Sequence, residues 1–173
     1  MEATDTHRDV DALAFQVDKS MRYHQRFRGF YDLVNRIAMF LIIIGGGGAA
    51  LKMSLIAPEI IGFIVAVVAA LNLVWVPSHR ARDHHLLHGR FSSLMVRIRS
   101  GEWTQENHII WEAERLKIEK DELPIFYALE ADCDNQVRRA WGRTKKMVEI
   151  DWWSRFTMFV LKHSPRQFGE KTT

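Results

Sequence analysis

Residues 37–76 read IAMFLIIIGGGGAALKMSLIAPEIIGFIVAVVAALNLVWV, and the only formal charges in that stretch are Lys52 and Glu59. Two apolar runs surround a short turn. The second, Ile60 to Val76, has seventeen residues; at ~1.5 Å of rise per residue it reaches about 25 Å, close to the hydrocarbon thickness of a bilayer. The first resumes beyond Lys52, whose long side chain can snorkel, and continues through Ala57, giving roughly the 20 residues a span needs. A signal peptide is excluded because more than thirty charge-rich residues precede Ile37 and a second apolar run follows at once.

Whole-chain averages conceal this block. Over 173 residues, 24 Lys and Arg against 21 Asp and Glu with 47% hydrophobic residues resemble one ordinary soluble domain. A single cysteine excludes a disulfide scaffold and a cysteine zinc cage, and the mixed charges outside the block exclude a nucleic-acid tail. With ten glycines, four of them consecutive, and four prolines, the composition favours helices over a sandwich or barrel. The expected fold is an all-α membrane protein, a two-helix transmembrane hairpin continuous with long cytoplasmic helices that form a bundle. Three regions are expected: an N-terminal helix over 1–36, the hairpin over 37–76 with spans at about 37–57 and 60–76, and a helical region over 77–173 ending in an amphipathic aromatic helix.

Basic residues next to the spans set the orientation. Arg22, Arg26, Arg28 and Arg36 precede the first, Arg80, Arg82 and Arg90 follow the second, and the turn holds only Lys52 offset by Glu59. Both termini are therefore expected in the cytoplasm, with Trp75 as an interfacial anchor. Within the spans, Gly45 with Ala49, Gly46 with Ala50, Gly62 with Ala66, and Ala66 with Ala70 are spaced for close helix approach. Such pairs serve packing inside one chain or between copies, and the sequence leaves both open. Four glycines from Gly45 to Gly48 weaken a helix by about 1 kcal/mol each relative to alanine, which marks a flexible point or a very close crossing. Asn72 is the strongly polar side chain of the second span; an interhelical hydrogen bond and a pore-lining role both suit it. Glu59 reads as a solvated turn carboxylate.

Outside the spans, Val10, Leu13, Ala14, Val17 and Met21 recur at helical spacing from Asp9 to Arg28. Pro77 marks a possible kink, after which Ala81 to Arg99 reads as a helix using Leu86, Leu87, Phe91, Leu94, Val96 and Ile98. Thr104 is expected to cap a helix over 105–120 with Ile109, Ile110, Leu116 and Ile118 as its apolar residues. Asp121 is expected to cap the next, with Pro124 in its first turn and an end at Gly142. Trp152, Trp153, Phe156, Phe159 and Val160 then form a dense aromatic face, expected to pack in the bundle rather than lie on the membrane.

Chemistry is sparse. His84 and His88 are four apart with His85 between, but no further ligand pattern supports a metal, and none is assigned. Glu119, Asp121 and Glu122 suit a helix start by their charge. Cys133 sits among apolar helical positions and reads as a core residue. Walker, GxSxG and kinase signatures are absent. An enzyme, a cofactor and a nucleic-acid partner are not expected.

Three stretches carry a resemblance: SMRYHQRFRGFYDL (20–33), ARDHHLLHGRFSSL (81–94) and IEKDELPIFYALEADCDNQ (118–136). On them the chain resembles the SLATT family, bacterial two-transmembrane effector domains that accompany nucleotide-second-messenger enzymes. The matching residues are Ser20, Tyr23, His24, Arg26 and Phe30, then Ile118, Glu119, Glu122, Pro124, Ala128, Leu129, Cys133 and Asn135. Leu123 stands where a first proline is expected and Asp134 where a histidine is usual. The resemblance implies an inner-membrane effector that kills or arrests an infected cell, controlled by a signalling nucleotide or by a partner that makes or senses one. A hairpin cannot enclose water, so a pore requires several copies. Arg138, Arg139 and Arg143 near a helix end suit nucleotide phosphates, but the helix dipole and an anionic leaflet are the preferred account of them. A non-conducting scaffold for a cytoplasmic partner is the alternative, and a small transporter subunit a third.

Overall fold

The computed structural model describes residues 2–50, 57–122 and 125–161, and is all-helical over them. Six α-helices follow in order: α1 Glu2–Ala50, α2 Pro58–Trp75, α3 Pro77–Ser100, α4 Gln105–Glu119, α5 Tyr127–Ala140 and α6 Trp152–Thr157, with a 3-10 turn at Thr144–Lys146. Two compact units result. One is Phe27–His84; the other combines the chain up to Arg26 with the chain from His85 onward.

The Phe27–His84 unit holds the rest of α1 and all of α2. Among the described residues two helices are long and apolar enough to cross a membrane, and only 6% of each most apolar window is buried. That low burial separates them from the core helices of a soluble protein, which cover such surface. Proline begins α2 at Pro58, where its missing N–H is no loss. At the other end Val76 closes α2 in the left-handed region, φ 44 and ψ 56, its N–H bonded to the Asn72 carbonyl at 3.0 Å. The cause is Pro77: the ring disfavours αR for the residue before it. Thus Pro77 does not kink one helix but separates two, at the cost of placing a β-branched residue at positive φ. Beyond it, His84 is buried and stacked on Phe27 at 4.8 Å and on Tyr31 at 5.7 Å.

The other unit has its core where α1, α3 and α4 meet. Val10, Leu13, Ala14 and Val17 of α1 pack with Leu87, Phe91, Leu94, Met95 and Ile98 of α3 and with Trp111 and Ile118 of α4. Each large side chain so buried contributes about 1.5–3 kcal/mol. Two expectations are corrected here. Leu86 and Val96 are exposed while Met95 is buried, and on α4 Ile109, Ile110 and Leu116 are exposed while Trp111 and Ile118, seven apart, face inward. The largest ring sets the register of α4: a Cβ on Gly101 would stand 2.6 Å from Trp111 Cζ2, so glycine makes room for the indole.

Thr104 caps α4 as expected, accepting the Asn107 N–H at 3.2 Å. The start of α5 is different. It begins at Tyr127 with Phe126 at the N-cap, and Asp121 and Glu122 lie before it. Asp121 instead binds Arg90 at 2.6 Å, and Glu122 meets His24. Contacts with basic side chains of other elements therefore take the carboxylates that helix-dipole reasoning assigned to a cap. Pro124 lies outside the described residues. The helix ends at Ala140, and Gly142 turns the chain with φ 69, open to glycine without strain.

The aromatic C-terminal segment corrects a further expectation. Ser154, Thr157 and Met158 are the buried residues of this region, whereas Trp152, Trp153, Phe156 and Val160 are exposed. Local hydrogen bonds let small polar groups go inward: Asp151 accepts from the Ser154 N–H at 3.1 Å and from its hydroxyl, and the Thr157 hydroxyl donates to the Trp153 carbonyl at 2.8 Å. These contacts hold the Asp151 carboxyl below its usual range, the Ser154 hydroxyl being the largest cause. A depressed carboxylate stabilises the fold above its unfolded pKa of about 3.9 and loses that contribution as pH falls through its folded value. We therefore expect α6 to fray below about pH 4, read by amide exchange of residues 152–158; Asp151→Asn should flatten the pH dependence, and an unchanged acid profile in that variant would refute the assignment.

Candidate functional site: the hairpin crossing and the polar cluster on the first helix

In the hairpin the small residues divide between two roles. A Cβ on Gly45 would lie 2.6 Å from Val65 Cγ2 and 3.7 Å from Ile61 Cγ2, so α1 and α2 cross at Gly45 within one chain. Among the described residues nothing stands within 4 Å of such an atom on Gly46 or Gly62, and Ala66 is exposed. These three face away from the crossing. The side chains of Ala49 and Ala50 lie outside the described residues. Glu59 is exposed at the start of α2. Asn72 is half-buried, and its Oδ1 is enclosed with no hydrogen-bond partner among the described residues. An enclosed carbonyl of this kind costs about 1–3 kcal/mol.

The motif residues of α1 converge with α5 in the other unit. Their spacing explains it: His24 faces α3, while Lys19, Tyr23 and Arg26, at i, i+4 and i+7, share a stripe. His24 is 1% exposed, stacks on Phe91 at 5.6 Å, and has Nε2 3.1 Å from Glu122 Oε1. The Tyr23 hydroxyl accepts the Phe126 N–H at 3.0 Å, satisfying the backbone just where α5 lacks a side-chain cap. Burial raises the Tyr23 phenol well above its ordinary range, with Glu122 and Glu130 adding to the effect. Lys19 Nζ binds Glu130 at 2.8 Å. Ser20, Tyr23, Glu122 and Glu130 border a cavity of about 30 Å³, room for a water and too small for a nucleotide.

Further along α1, Arg26 forms an ion pair with Asp132, which also accepts from Gln136 at 2.9 Å. The same guanidinium lies 3.9 Å from Met158 Sδ and 5.7 Å from the Phe159 ring centre, so one arginine joins α1, α5 and the α6 region. Cys133 is fully buried beside it, and burial pushes its thiol up to about 12, outweighing Arg26. It is an inert core residue rather than a nucleophile. Glu119 ends α4 in an ion pair with Arg115, and burial holds its carboxyl above the usual range. Asn135 is 4% exposed and grips Val148 at both ends, Nδ2 donating to its carbonyl at 2.6 Å and Oδ1 accepting its N–H at 2.8 Å.

The three candidate phosphate ligands are not assembled. Arg138 pairs with Asp134 and lies 5.4 Å from the Phe15 ring centre; Arg143 pairs with Asp11 and stacks near Phe15 and Trp141. A phosphate would have to displace two carboxylates. Arg139 is exposed and borders a different groove. The histidines also diverge: His85 is exposed and His88 Nδ1 lies 3.0 Å from the Met21 carbonyl, while His84 is the stacked ring described above. The role that sequence reasoning missed is that of Trp111, the inward ring of α4; its seven-residue spacing from Ile118 was the available signal.

Over the described residues, fold and site define an all-helical protein with two candidate membrane-spanning helices and a second helical unit. No protein-family model, no curated protein and no solved structure matches the chain.

Proposed function

We propose that this chain is an oligomeric effector of the bacterial inner membrane, with both termini cytoplasmic, that permeabilises or depolarises the membrane in antiphage defence of the abortive-infection type. Its control rests on a signalling nucleotide or on a partner that makes or senses one, as the SLATT resemblance implies. The observation that carries the reading is the bareness of the two apolar helices, 6% buried in the single chain. Lipid or further copies must cover them, and only an assembly can enclose a water path. Gly46, Gly62 and Ala66, which face away from the chain's own crossing, suit contacts between copies.

Expression of the chain alone in bacteria, followed with a voltage-sensitive dye and by growth, tests the reading. Depolarisation before growth arrest is the expected result. If Asn72 lines the path, Asn72→Leu should change leakage while leaving assembly intact; unchanged leakage with normal assembly would take Asn72 out of the path. One observation favours the second reading, a non-conducting scaffold: the Asn72 Oδ1 is enclosed within the single chain rather than presented to a lumen. Maintained potential both alone and with the neighbouring nucleotide-making partner would support the scaffold and exclude the pore.

A further inference from the structure

A short amphipathic helix on a soluble body turns its rings inward and its hydroxyls to water. In α6 the order is inverted. Ser154 and Thr157 are buried, while Trp152 is 75% and Phe156 78% exposed, with Trp153, Val160 and Leu161 also uncovered. The inversion is built in, because the hydroxyls are satisfied locally by Asp151 and by the Trp153 carbonyl, and Met158 and Phe159 are held by Arg26.

We infer that Trp152, Trp153 and Phe156 dock in the headgroup layer of the bilayer that the two apolar helices cross, an inference that rests on their spanning it. Two observations select lipid as the occupant. Indole combines an apolar ring with an N–H that needs a wet partner, the chemistry enriched at membrane interfaces. Arg155 and Lys145 are exposed nearby, suited to anionic headgroups, while the neighbouring Asp151 is already engaged as a cap; Glu149 is the exposed acid of the segment. A second copy of the chain is a poorer occupant, since five exposed apolar side chains fall well short of the roughly 20–30 residues a side of a stable protein interface.

The full chain, reconstituted in phosphatidylcholine vesicles with phosphatidylglycerol, provides the test. Fluorescence of the wild type minus that of the Trp152→Phe/Trp153→Phe double variant isolates the two indoles and keeps the apolar face. This difference signal should be blue-shifted, quenched by lipid spin-labelled near the acyl carbonyl, and protected from aqueous iodide. Quenching by iodide overturns the docking, and protection from both quenchers overturns it in favour of a protein cover, each with the spanning reading intact. A chain that fails to float with the vesicles overturns both readings.

Discussion

Replacing Asn135 with alanine is expected to destabilise the helical body by about 1–3 kcal/mol and to release the segment leading into α6. The amide is 4% exposed and supplies both partners of Val148, a residue itself 38% exposed, so its loss removes two hydrogen bonds at once. Each such hydrogen bond contributes about 0.5–1.5 kcal/mol net. Asn135→Asp should be similarly harmful, because a carboxylate keeps the acceptor for the Val148 N–H but sets a negative oxygen against its carbonyl. The readout is amide exchange over residues 147–158 together with the melting midpoint of the chain in detergent. Gln136→Ala, one residue on and bonded to Asp132 by a half-buried amide, provides the comparison and should cost less than about 1 kcal/mol. Unaltered protection of Val148 in Asn135→Ala would show that the segment is held by something else.

The second large effect concerns the crossing of the two apolar helices. Gly45→Ala places a methyl 2.6 Å from Val65 Cγ2, and valine in a helix has one strongly preferred rotamer and little room to yield. Overpacking of this kind costs about 1–3 kcal/mol, against which alanine's better helix propensity returns about 1. Gly45→Leu removes the balance altogether and should separate the helices. Gly46→Ala, with nothing within 4 Å, should change stability in the opposite direction, by up to about 1 kcal/mol. Adding Val65→Ala to Gly45→Ala should restore the crossing. Unfolding titrations in mixed micelles check the set, and a Gly45→Ala protein as stable as Gly46→Ala would refute the crossing.

Both effects were half legible beforehand. The four-glycine run marked a close crossing or a flexible point, but all four look alike in sequence, and only the rotation of α1 against α2 singles out Gly45. Asn135 stood out through its motif, yet a lone asparagine on an amphipathic helix carries no sign of which backbone it will clasp thirteen residues later.

The hairpin, the all-helical fold and most of the α1 and α3 core were determined locally. Apolar runs of span length and a 3.6-residue period are properties of consecutive residues, readable without any partner. The tertiary structure decided which face of α4 turns inward, since one indole at Trp111 outweighs three aliphatics only when Gly101 makes room for it. It decided that Asp121 and Glu122 meet Arg90 and His24 instead of capping a helix, because such contacts depend on neighbours distant in sequence. It also turned the aromatic face of α6 outward, where local hydrogen bonds to Ser154 and Thr157 outweigh the periodicity that placed those rings in the core.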